Sequence, residues 1–179
     1  RYPLFLAVAL PGALVAQTLG TATNLPLVGD SYTMNTGIWE GAVPGGEEVL
    51  FDLSSMVSNG TRTYTWAAPS VYSNPALVPT ATLCLVGGPN NDTLFYNTPG
   101  TGLQLVGERK NYLGLLAVES PYADGVQELK LPLAYGDTWT DGFNASWTID
   151  GVGNAVRAGT INGSADARGY LLLPGATQP

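Results

Sequence analysis

From Asp137 to Asp150 apolar and polar side chains alternate residue by residue. Trp139, Asp141, Phe143, Ala145, Trp147 and Ile149 occupy the odd positions, and Thr138, Thr140, Gly142, Asn144, Ser146, Thr148 and Asp150 the even ones. A helix, with its period of ~3.6, would scatter both sets around its axis; a strand points successive side chains to opposite faces. The segment therefore reads as a strand with one aromatic and one polar face. Shorter alternations recur along the chain. Tyr64 and Trp66 share a face opposite Thr61, Thr63 and Thr65; Val49, Phe51 and Leu53 share another, as do Leu103 with Leu105 and Leu129 with Leu131 and Leu133. Further strands are expected at Ser31–Met34, Thr82–Val86, Thr93–Asn97, Tyr112–Val118, Val156–Ala165 and Tyr170–Leu173. No stretch sustains a helical period. The pattern predicts an all-β fold: one antiparallel β-sandwich or partly open barrel-like domain of about eight to eleven strands. Trp66, Trp139, Phe143 and Trp147 are expected to be mostly buried, with Thr63, Thr65 and Thr140 facing outward.

Asp141 is the exception in the aromatic row. Either it is a functional carboxylate held on an apolar face, or a bulge at Asp141-Gly142 shifts the register there. A bulge is the commoner cause and is the preferred reading. In that case the carboxylate should bond to nearby backbone N–H groups.

Turns are expected at Asn59-Gly60, Gly87 to Asp92, Pro99-Gly100, Asp124-Gly125 and Asp150-Gly151, where residues that tolerate turn conformations cluster. Pro69 to Pro79, with Pro75 between them, is the least regular internal segment and reads as a covering loop. A faint echo links Pro26-Leu27-Val28-Gly29-Asp30-Ser31-Tyr32-Thr33 with Pro132-Leu133-Ala134-Tyr135-Gly136-Asp137-Thr138-Trp139-Thr140. Each places Gly-Asp directly before a hydroxyl-aromatic-hydroxyl strand start, which points to shared turn chemistry and not to a repeat.

The N-terminus bears on compartment. Arg1 precedes the apolar run Leu4 to Leu10, then Pro11-Gly12, then Ala13-Leu14-Val15-Ala16-Gln17. A positive end, a short apolar stretch and a small residue before a polar one form the pattern of a secretory signal peptide. The run is too short for a membrane span, which needs about 20 apolar residues. Residues 1–16 are thus expected to be a signal peptide and residues 17–179 the all-β domain, secreted or held at the cell surface. Cys84, the single cysteine, sits in the apolar run Thr82-Leu83-Cys84-Leu85-Val86 and reads as a small buried hydrophobe. No internal disulfide is possible, so the core must hold the fold.

Composition then removes chemistries. The chain has 14 acidic and 7 basic residues, for a net charge of −7. That balance argues against a nucleic-acid partner, which demands clustered Lys and Arg. There is no histidine, so the usual Ser-His-Asp and Cys-His catalysis and the His-containing metal sites are excluded. No phosphate-binding or dinucleotide-binding glycine motif is present. No catalytic residue, metal ligand set or cofactor is assigned, and the chain is not expected to be an enzyme. Three weaker readings remain open. Glu47-Glu48, or Asp137 with Asp141, could in principle serve as a glycoside hydrolase's carboxylate pair. Acidic and amide turns near Asn90-Asn91-Asp92 and Asp150 to Asn154 offer oxygen ligands for calcium, without EF-hand spacing. Trp39, in a Gly-rich stretch, is the best candidate for an exposed sugar-stacking ring; Trp66, Trp139 and Trp147 lie on core-facing rows.

A set of local motifs carries a family resemblance. After an export signal ending Ala-Gln come Val28-Gly29-Asp30-Ser31-Tyr32-Thr33 and Phe51-Asp52-Leu53-Ser54-Ser55-Met56. Pro132 to Asp141 and Gly163-Ser164-Ala165-Asp166-Ala167-Arg168-Gly169-Tyr170-Leu171-Leu172-Leu173-Pro174-Gly175 follow. The series resembles the N-terminal domain of large secreted Bacteroidota proteins that carry a C-terminal sorting domain for type IX secretion. Phe51 stands where that family often has Trp. The resemblance implies a non-catalytic extracellular or cell-surface module, with further domains of the same polypeptide beyond Pro179 and polysaccharide or other surface components as partners. It brings no catalytic residues. A carbohydrate-binding module and a carboxylate-dependent glycoside hydrolase are the alternatives.

Overall fold

The computed structural model describes residues 18–20, 24–38, 44–87, 92–112, 116–149 and 151–174. The proposed signal peptide lies outside them. Among the described residues the fold is all-β, in twelve strands: β1 (Thr18–Leu19), β2 (Ser31–Ile38), β3 (Gly46–Asp52), β4 (Val57–Ala67), β5 (Leu83–Val86), β6 (Thr93–Asn97), β7 (Gly102–Tyr112), β8 (Leu116–Lys130), β9 (Leu133–Ala134), β10 (Thr138–Ile149), β11 (Gly153–Ser164) and β12 (Ala167–Leu172). The excess over the expected eight to eleven comes from β1 and β9, a two-residue pair.

Eight strands form one antiparallel sheet in the order β11-β10-β8-β7-β6-β5-β4-β2. β4 to β8 run as a meander, the β10–β11 hairpin adds beyond β8, and β2 adds beside β4. β12 pairs with β3 in parallel, apart from the main sheet. The alternation seen in sequence sorts the side chains of the main sheet onto two faces. One face gathers Trp66, Leu83, Tyr96, Leu105 and Val126, with Leu85, Leu94, Leu103, Tyr122, Phe143 and Ile161 packed against them. These residues come from β4 through β11, all in the main sheet. Arg157 on β11 also reaches Glu108 on β7 at 2.8 Å. In a flat sheet those two strands would stand about 14 Å apart, three interstrand spacings. That contact, together with the packing of Phe143 and Ile161 from the far strands against the cluster of β4 to β8, fits a sheet curled over this face, the barrel-like form of the expected fold.

The opposite, outer face has a smaller core of Val78, Cys84, Phe95 and Val106. Its cover is the Pro-rich segment, in which Pro69–Val71 and Pro75–Leu77 form single turns of 3-10 helix. Tyr72 from that segment packs edge-on against Phe95, centroids 5.0 Å apart. Cys84 is fully buried, and burial raises its thiol pKa.

Several local expectations need correction. Asn59-Gly60 lies inside β4, not at a turn: Gly60 pairs with Thr36, and the register shifts at the next step, between Thr36 and Gly37. Tyr112–Val118 is not one strand; it runs from the end of β7 to the start of β8. Asp124-Gly125 is no hairpin. Leu105 pairs with Val126 and Gly107 with Pro121, so four residues of β8, Tyr122 to Gly125, stand opposite Val106 in a wide bulge. Trp66 is buried, whereas Trp139, Phe143 and Trp147 are half-buried; Thr63 and Thr140 face solvent and Thr65 is half-buried.

The echo between the two Gly-Asp segments is structural. Asp30 Oδ2 accepts the Leu27 N–H, and Asp137 Oδ2 accepts the Ala134 N–H, each at 2.8 Å. Gly29 and Gly136 take positive φ, 99° and 90°, which glycine adopts without steric cost. In each turn the glycine N–H and the aspartate C=O bond to one residue across the sheet, Trp66 for the first and Ala165 for the second. The same four-residue device therefore starts β2 and β10.

Candidate functional site

β10 is paired with β11 along its entire length, Thr138 with Ser164 to Ile149 with Gly153. Asp141 faces Ile161 and Gly142 faces Thr160 with no shift of register. The bulge expected at Asp141-Gly142 is therefore absent, and Asp141 truly belongs to the aromatic row. Its position has another cause, on the β8 side. Pairing between β10 and β8 is confined to Asn144 with Asp124 and Ala145 with Tyr122, with an irregularity between them. Beyond that point toward Thr138 the two strands have left the ladder, which would strand the backbone of Gln127. Two side chains of the row take over. Asp141 Oδ2 accepts the Gln127 N–H at 2.7 Å, and Trp139 Nε1 donates to the Gln127 C=O at 3.1 Å. Carboxylate and indole thus supply the acceptor and donor that a strand would have offered.

Of the other predicted carboxylates, Asp137, Glu47 and Asp92 are engaged locally. Asp137 closes its turn through Ala134 and does not share a partner with Asp141. Glu47 pairs with Arg168 at 3.2 Å on the β3–β12 ribbon, away from the main sheet. Asp92 accepts the Asn111 N–H at 2.8 Å and lies 3.7 Å from Lys110 Nζ. Asn154 accepts the Thr148 hydroxyl. Among the described residues no group of three or more acids, histidines or cysteines could hold a metal ion. Trp39, Asn90, Asn91 and Asp150 lie outside the described residues.

The most concentrated polar constellation was not anticipated from sequence. On the concave face Glu108 receives Arg157 Nη1 at 2.8 Å and the Tyr122 hydroxyl at 3.4 Å, with Lys110 3.7 Å from its second oxygen. Arg157 also donates to the Tyr122 hydroxyl at 2.8 Å and lies over the Tyr122 and Phe143 rings. The Glu108 side chain is 11% exposed and that of Arg157 51%, so the pair is shielded from water on its acidic side only. Burial, and then the negative charge of Glu108, push the Tyr122 pKa up to about 12, against the opposing pull of Arg157. Nearby, the Tyr96 hydroxyl donates to Glu128 at 3.0 Å; burial and then the Glu128 charge raise its pKa strongly. These tyrosines are held as neutral donors. The sequence signal was the Glu108-Arg109-Lys110 run, but its partners are remote in the chain and become neighbours only when the sheet curls.

The carboxylates of this site hold strands together across the sheet. No family model matches the chain, and neither the curated proteins nor the solved structures provide a match. Among the described residues no helix is long and apolar enough to cross a membrane, a finding about helices that leaves β-barrels unaddressed.

Proposed function

We propose that this chain is a non-catalytic extracellular or cell-surface module, the N-terminal part of a larger exported bacterial protein. The observation that carries the reading is the use made of Asp141. A general acid or base needs a carboxylate free to meet substrate, whereas Asp141 holds the Gln127 backbone where β8 and β10 separate. Glu108 is likewise engaged by arginine and tyrosine. The Arg1 to Gln17 pattern supports export, and the order of turn motifs supports kinship with N-terminal domains of type IX secretion cargo.

Two measurements test the reading. The isolated domain is assayed against common polysaccharides and peptides, as wild type and as Asp141→Asn; no turnover is expected from either. Turnover by the wild type that the substitution abolishes would make Asp141 catalytic. N-terminal sequencing of exported protein should begin at or within a few residues of Gln17. Recovery from outside the cell of chains starting at Arg1 would remove the signal peptide.

A carbohydrate-binding role is the second reading. The observation that favours it is Tyr32, exposed on the edge strand β2 and stacked on Tyr64 with centroids 5.5 Å apart. Soluble glucan or xylan should then quench tyrosine emission in the wild type and not in Tyr32→Ala.

A further inference from the structure

The seam between β8 and β10 opens a second time, at the other end, and there no side chain among the described residues bridges it. From Leu116 to Pro121, β8 is paired on one side with β7, Leu116 with Tyr112 through to Pro121 with Gly107. From Ser146 to Ile149, β10 is paired on one side with β11. Their remaining edges border a cleft of about 390 Å³, and no pairing joins the two strands beyond Ala145 with Tyr122. Its walls include Leu116, Ala117 and Pro121 of β8, Trp147 and Ile149 of β10, and Leu77 of the covering segment. The contrast with the Gln127 end is direct. There Trp139 and Asp141 stand in for the missing ladder; here Trp147, in the same row, has a buried Nε1 with no hydrogen-bond partner. A buried donor left unpaired costs about 1–3 kcal/mol.

We propose that this cleft is a strand-acceptor site, which takes an extended, uncharged segment of another polypeptide by β-augmentation. Unpaired strand edges are templates for pairing with another chain. At ~3.3 Å per residue, a partner matched to Ser146–Ile149 is about four residues long. Trp147 and Ile149 point to one face and Ser146 and Thr148 to the other, so an inserted strand should alternate apolar and hydroxyl side chains, as β10 does. Glu119, the acid at the wall, already accepts the Tyr72 hydroxyl, which leaves no demand for a basic residue in the guest. The site is independent of the non-catalytic reading above and of the route of export.

The test uses the full chain labelled with nitrogen-15, with a terminally blocked Val-Thr-Val-Thr tetrapeptide as probe. In the free protein, alternate amides within residues 116–120 and 146–149 should exchange with solvent faster than other amides of the sheet interior. Saturation with the tetrapeptide should slow them about tenfold or more and move the Trp147 indole N–H resonance downfield. A blocked Val-Pro-Val-Pro peptide, which lacks the ladder donors at alternate positions, should do neither, and Ala117→Phe, which fills the cleft, should abolish the effect of the first probe. Slow exchange at these amides in the free protein would overturn the proposal. So would their indifference to millimolar tetrapeptide, or equal protection by the proline peptide. Protection that grows with protein concentration alone would assign the cleft to a second copy, contrary to the proposal. Should Ala117→Phe fail to fold, the two peptides on the wild type still decide.

Discussion

A tyrosine hydroxyl that keeps its proton well above its ordinary range stores a pH dependence in the fold. Tyr122 illustrates it: buried against Glu108, its pKa is pushed up to about 12, against about 10 in an unfolded chain. Below pH 10 both states are protonated and the contribution is complete. Between about 10 and 12 the unfolded state loses the proton first, so stability falls as pH rises. Tyr96 acts in the same direction. Urea denaturation at a series of alkaline pH values should show stability declining over that window, with a shallower decline in Tyr122→Phe. Parallel slopes for the two proteins would refute the assignment. At this scale the sequence was only partly legible. The oddity of Asp141 was visible from the row it interrupts, but its cause, the stranded backbone of Gln127, belongs to a strand that was not located in the right register.

Elements were more legible, because period and turn chemistry are local. The alternation from Asp137 to Asp150 is β10 almost to the residue, and the two Gly-Asp turns are built alike because Asp30 and Asp137 sit in the same four-residue device. The errors have one physical source. Asn59-Gly60 and Asp124-Gly125 look like hairpin turns, yet the sheet absorbs the first within β4 beside a register shift and the second in a bulge of β8, since pairing with β2 carries β4 through Gly60 and pairing with β10 holds Asp124. β11 shows the reverse case, glycines that read as weak strand residues and have a packing purpose. The Trp139 ring lies over Gly163 and the Phe143 ring over Gly159, each pair directly opposed in the ladder. A side chain added at Gly163 would meet the Trp139 ring and, through it, the bond to Gln127. Gly163→Val is therefore expected to cost about 1–3 kcal/mol by overpacking, read from the urea midpoint. It should also shift the Trp139 indole N–H resonance. A neutral substitution with an unmoved resonance would mean that the ring does not rest on β11.

At the scale of the whole molecule, one curved sheet brings β7 within reach of β11 and gives the chain a concave face and a covered outer one. The all-β class and the covering role of Pro69 to Pro79 were evident from alternation and turn spacing. Curvature was not, because it arises from accumulated twist and from bulges in β7 and β8, and so the Glu108–Tyr122–Arg157 constellation stayed hidden. The central claim is that Asp141 and Glu108 serve the fold. A carboxylate retained for function at the expense of packing is stabilising to remove or neutral, whereas one that satisfies buried backbone is costly to remove. The equilibrium unfolding free energy of Asp141→Ala, compared with wild type at pH 7, separates the two. A loss of about 1–3 kcal/mol, the cost of leaving the Gln127 N–H without an acceptor, is the expected result. A variant as stable as the wild type, or more stable, would contradict the account.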